Sequence, residues 1–61
     1  MLEEFVGKKV KIITGSAGEM TEYNLQVLDA DGTLIKVQDS AGNTRVINTT
    51  SANFSEIQLQ N

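Results

Sequence analysis

The chain has 61 residues, a net charge of −3, and neither cysteine nor histidine. At that length it forms one domain, 1–61, which buries only about 60% of the surface its unfolded form exposes. The missing residue types exclude disulfides, thiolate catalysis and the common zinc sites, and the acidic balance opposes indiscriminate binding to phosphate backbones. Small domains without such staples gain stability from partner subunits, so a homo-oligomer is expected.

In chain order, LEEFV at 2–6 sets Leu2, Phe5 and Val6 on one side of a short helical turn, with Glu3 and Glu4 near its positive start. The opening MLEEFVGKK is acidic where a signal peptide is basic, and no apolar run reaches membrane-spanning length. The expected setting is cytoplasmic, with no membrane partner. KKVKIIT at 8–14 alternates, with Val10 and Ile12 on a core face and Lys9, Lys11 and Ile13 opposite. GSAGE at 15–19 is a glycine-rich hairpin loop whose amides offer themselves to an anion, although it lacks the Lys-Ser/Thr ending of a phosphate loop.

In the second strand Tyr23, Leu25 and Val27 share the core face, while Asn24, Gln26 and Leu28 face outwards. Asp31-Gly32 marks a tight reversal. Ile35 and Val37 continue the buried face, and Leu34, Lys36 and Gln38 point away from it. SAGN at 40–43 is another turn and TRVIN at 44–48 a fourth, β-branched strand. NTTSANF at 48–54 is a polar connector with room for one 3₁₀ turn, leading to Phe54 as a plug at one end. Ile57 and Leu59, alternating with Glu56, Gln58 and Gln60, make the fifth strand.

Five short strands joined by tight turns predict an all-β fold, a small five-stranded antiparallel SH3-like barrel whose closure protects its edges. LEEFVGKKVKII at 2–13, a second strand ending in Val27-Leu28-Asp29, and Leu34-Ile35 opening a strand that ends at Asp39 together resemble the Sm-like proteins. That resemblance covers nearly the whole chain. It implies a barrel, assembly into rings of six or seven, and a central pore that binds single-stranded RNA. The family's base-binding Asn falls where this chain has Thr33, and its second motif falls at Asn48-Thr49. The RNA-binding residues it implies are Asp29, Thr33 and Asn48, with Lys8 and Lys9 for phosphates.

Asp29, Asp31 and Asp39 are the residues on which acid-base chemistry would have to rest, but Asp and Gly in reversals answer first to turn geometry. The acids of DADG lack the later bidentate Glu of a calcium loop. Neither a catalytic set nor a metal or cofactor site is expected, and the chain does not read as an enzyme. Lys8, Lys9 and Lys11 form a basic cluster, with Lys36 expected nearby. Ile13, Leu28 and Leu34, large aliphatics turned outwards, are the expected interface. The leading reading is a self-associating, non-catalytic interaction module; the alternative is an Sm-like ring on single-stranded RNA.

Overall fold

The computed structural model describes residues 1–60. A 3₁₀ turn at Leu2–Phe5 leads into five strands: β1 Lys9–Thr14, β2 Met20–Asp31, β3 Leu34–Gln38, β4 Thr44–Asn48 and β5 Phe54–Leu59. All four ladders are antiparallel, and the sheet order is β4-β3-β2-β1-β5. β2 is long because it serves two partners, β1 along its first half and β3 along its second. The fold is therefore all-β and barrel-like. The expected closure is absent, however: among the described residues β4 and β5 each have one ladder partner, leaving an open seam between them.

The core lies where alternation puts it. Val10, Ile12, Leu25, Val27, Ile35 and Val37 are all but inaccessible to solvent. Leu2, Phe5, Ala30, Ile47, Phe54 and Ile57 cover this cluster from the ends and the edge strands. Val6, expected beside Leu2 and Phe5, is exposed instead, because the chain leaves the 3₁₀ turn there in extended conformation. Gly7 (φ +82°) then swings the chain into β1, its N–H donating to the Val27 carbonyl at 2.8 Å.

Two register shifts bend β2 and change which side chains share a face. Val10 pairs with Leu25 but Ile12 pairs with Glu22, so β2 carries one extra residue across that step. Asn24 absorbs it in the left-handed region (φ +61°), which Asn tolerates better than most residues. Its N–H donates to Gln60 Oε1 at 2.8 Å, and Gln60 Nε2 returns a bond to Asn24 Oδ1 at 2.6 Å. Tyr23 is consequently 61% exposed, not on the core face as simple alternation predicts. A second shift at Leu28, between Val27↔Val37 and Asp29↔Lys36, returns Ala30 to the inner side opposite Ile35.

The β2–β3 reversal is centred on Gly32-Thr33, with Asp31 paired to Leu34, one residue later than the expected Asp31-Gly32 centre. Gly32 has φ +60° while Thr33 does not enter the positive region, the pattern of a type II′ hairpin turn. The connector at 49–53 contains turns but no 3₁₀ helix; the 3₁₀ element belongs to the N-terminal segment.

Candidate functional site

The β2–β3 turn and the β4–β5 connector meet at one end of the sheet. The Thr33 carbonyl accepts from the Thr49 N–H at 2.9 Å and from Thr49 Oγ1 at 2.7 Å. Thr33 and Asn48 are thereby brought together near Asp31, which lies two residues beyond Asp29 along β2. Asn48 Oδ1 is already engaged locally, accepting from Thr50 N–H at 3.0 Å and Thr50 Oγ1 at 2.7 Å. Lys8 and Lys9 do not join this group. Lys9 pairs with Gln26 and the Lys8 carbonyl accepts from the Val27 N–H, which places both beside the middle of β2. Lys36 is separated from the β1 lysines by β2 and sits opposite Asp29, contrary to its expected place in the basic cluster.

Two of the three aspartates on which acid-base chemistry would rest, Asp29 and Asp39, brace the backbone. Asp29 Oδ1 accepts from the Ala30 N–H at 2.8 Å, next to the second shift of β2. Asp39 Oδ1 accepts from both Ala41 N–H (3.0 Å) and Asn43 N–H (2.9 Å), building the turn between β3 and β4. Glu22 is paired with Arg45 across the sheet. Among the described residues no three acidic side chains converge in a way that would hold a metal ion. No helix among them is long and apolar enough to cross a membrane.

The glycine-rich loop at 15–19 holds an anion of its own. Its amides turn towards Glu19, whose Oε1 accepts from the Ala17 N–H at 2.9 Å. Its own backbone N–H and then that of Ala17 keep the Glu19 carboxyl below its ordinary value of 4.5. A Cβ on Gly15 would lie 2.5 Å from Glu19 Cδ, at a φ of +98° that side chains rarely adopt. Because the folded pKa is lowered, the loop's contribution to stability is present above the unfolded pKa and fades as pH falls through the folded value. In an NMR titration of the side-chain carboxyls, Glu19 is expected to have a midpoint below 4.5, with the Ala17 amide shift following it. Gly15→Ala displaces the carboxylate and is expected to bring that midpoint back up; an unchanged midpoint would remove the loop as its cause.

The expected interface residues are split. Leu28 and Leu34 are exposed, at 38% and 43%, on the outer side of β2 and β3. Ile13 is partly buried on β1 between Thr21 and Glu56, away from both leucines. Leu34 lines a shallow groove of about 200 Å³ with Asp29, Asp31, Lys36 and Val46. Val46, on the open edge strand and 61% exposed, is the residue that sequence reading missed. Its signal was available: with Ile35 and Ile47 on the core face, alternation turns Val46 outwards. Comparison with protein-family models, with curated proteins and with solved structures returned no match, so the reading of function rests on these surfaces.

Proposed function

We propose that this chain is a non-catalytic interaction module that self-associates through the unpaired edges of its sheet. The observation that carries this reading is the open seam, with β4 and β5 each paired on one side only. An unpaired edge presents a row of backbone donors and acceptors that readily takes up another strand. The thin core adds weight, since six fully buried side chains leave a small domain with much to gain from a partner. The engagement of Asp29, Asp39, Glu19 and Glu22 in turns, loop and ion pair supports a structural role for the acidic residues.

Sedimentation velocity from micromolar to millimolar concentration is expected to show species heavier than the 6.6 kDa chain. A mass that remains monomeric throughout contradicts the reading. Exchanging Leu28 and Leu34 for Ser is expected to weaken the assembly, because both expose apolar surface on the outer face that runs towards β4. Unaltered assembly would confine the interface to the edge itself.

A second reading, an Sm-like ring that binds single-stranded RNA, draws on the Thr33–Thr49 bonds, which gather Thr33 and Asn48 beside Asp29 and Asp31. On that reading the lysines at 8 and 9 contribute phosphate contacts from a separate surface. Fluorescence anisotropy with labelled oligo-U and oligo-A separates the two. Saturable binding that survives moderate salt favours the ring, and binding lost with modest salt reflects phosphate attraction alone.

A further inference from the structure

Self-association through an edge still has to choose an edge and a register, and the backbone bonds of β4 narrow that choice. The β3–β4 ladder runs without interruption from Leu34↔Asn48 to Gln38↔Thr44. It is bracketed by two backbone bonds, Asp39 N–H to the Asn43 carbonyl and Thr49 N–H to the Thr33 carbonyl, each 2.9 Å. Antiparallel ladders alternate bonded and non-bonded pairs. Arg45 and Ile47 are therefore the residues of β4 bonded to β3. Thr44, Val46 and Asn48 turn their backbone N–H and C=O groups to the free edge, and their side chains lie on the outer face with Leu34 and Lys36.

We infer that β4 pairs antiparallel with β4 of a second copy, about a two-fold axis at Val46; this rests on the self-association reading above. In that register Val46 meets Val46 of the second copy, and Thr44 meets Asn48 of the second copy on either side. Every outward backbone pair of the edge then finds a bonded counterpart, because residues two apart along one strand face residues two apart along the other. The Asn48 carbonyl also accepts from the Ser51 N–H at 3.1 Å, and its second lone pair serves the new bond. The axis stands perpendicular to the sheet, so the core faces of both copies stay on one side. Arg45 brings no unpaired charge to the edge, since it is held by Glu22. Outside, Leu34 and Val46 of the two copies form one apolar strip.

β5 is the poorer edge. Gln60 N–H donates to the Lys9 carbonyl at 3.0 Å, so the same alternation leaves Ile57 and Leu59 with outward backbone groups. A register shift between Glu56 and Phe54 interrupts the run, and Glu56 adds a charge; bulges and charges are both devices that blunt edges. Pairing β4 antiparallel with β5 would also set outer-face Val46 beside core-face Ile57, because bonded partners project to the same side of a sheet.

The test uses Val46→Pro, which removes an outward N–H while leaving the β3 ladder intact, as edge strands allow. Leu59→Pro does the same for β5, and Val46→Lys sets like charges directly opposite each other at the axis. The expected result is a wild type that reaches twice the chain mass at high concentration, both position-46 variants staying monomeric, and Leu59→Pro still pairing. In the wild type, amide exchange at Thr44, Val46 and Asn48 is expected to slow with rising concentration, a readout that needs no variant. A wild type that assembles while Val46→Pro and Val46→Lys assemble equally well overturns the β4 pairing but leaves self-association standing. A ring of six or seven copies overturns the two-fold axis, and a wild type that is monomeric at all concentrations overturns both proposals.

Discussion

Replacing Ile12 by Ala is expected to lower the melting temperature by roughly 10–30 °C, or to leave the chain unfolded at room temperature. Ile12 is fully buried and faces Ile57 on one neighbouring strand and Glu22 on the other, so its side chain fills the space where three strands converge. Truncating a buried Ile to Ala costs about 2–5 kcal/mol, through lost transfer energy and the cavity left behind. A domain of this size has a total stability of about 3–9 kcal/mol at the usual per-residue range. The loss is thus a large fraction of the whole. Ile12→Val removes one methylene and is expected to cost only about 0.5–1.5 kcal/mol. Both variants are compared by thermal and urea denaturation at a single protein concentration, because under the proposed self-association stability depends on it. A loss for Ile12→Ala no larger than that for Ile12→Val would mean the site collapses around the smaller residue.

Asn24→Val is expected to destabilise by about 2–3 kcal/mol, from backbone strain and a lost side-chain hydrogen bond together. At φ +61° a β-branched residue crowds the following carbonyl, and Val also removes the Oδ1 that accepts from Gln60. Two companion variants divide the effect. Asn24→Gly keeps the backbone conformation and loses only the side-chain bond, so its cost is expected to be the smaller. Gln60→Ala removes both bonds to Asn24 without straining it, and is expected to fall between the two. There is one tyrosine and no tryptophan, so intrinsic fluorescence reports on Tyr23. If Val straightens β2, Tyr23 moves from the outer face towards the core side, and acrylamide quenching of its emission should fall. Equal stability of Asn24→Val and Asn24→Gly would remove backbone strain from the account.

The same residue shows where sequence reading stops. All six fully buried side chains follow from alternation, because each strand has one wetted face and the period of two is rigid between irregularities. The period fails at a bulge, and Tyr23 is on the far side of one. An Asn within an otherwise regular strand is a hint of positive φ, but it becomes decisive only with the partner register and with Gln60, which is 36 residues away. The turn at Asp31-Gly32 was legible to within one residue because glycine is needed at a single dihedral. The open seam was not legible, since strand count and turn chemistry are the same whether β4 and β5 pair or not. At the candidate surfaces, outward Leu28 and Leu34 could be read from the strand pattern. The capture of Glu19 by its own loop and the meeting of Thr33 with Thr49 depend on tertiary placement.

The sheet order also bears on how the chain reaches this fold. Three ladders, β1–β2, β2–β3 and β3–β4, join strands consecutive in sequence, and each can form as a hairpin. β5 alone returns to a distant partner, pairing Phe54 with Thr14 and Leu59 with Val10. Closing so long a loop carries an entropic cost before its contacts repay it, and non-local pairing of this kind slows folding. The bond from Gly15 N–H to the Asn53 carbonyl at one end and the Asn24–Gln60 amide pair at the other fasten this distant strand to the rest of the sheet. Wherever β5 is detached, the β1 edge is open as well, and the remaining four-stranded meander offers one more edge to mispairing.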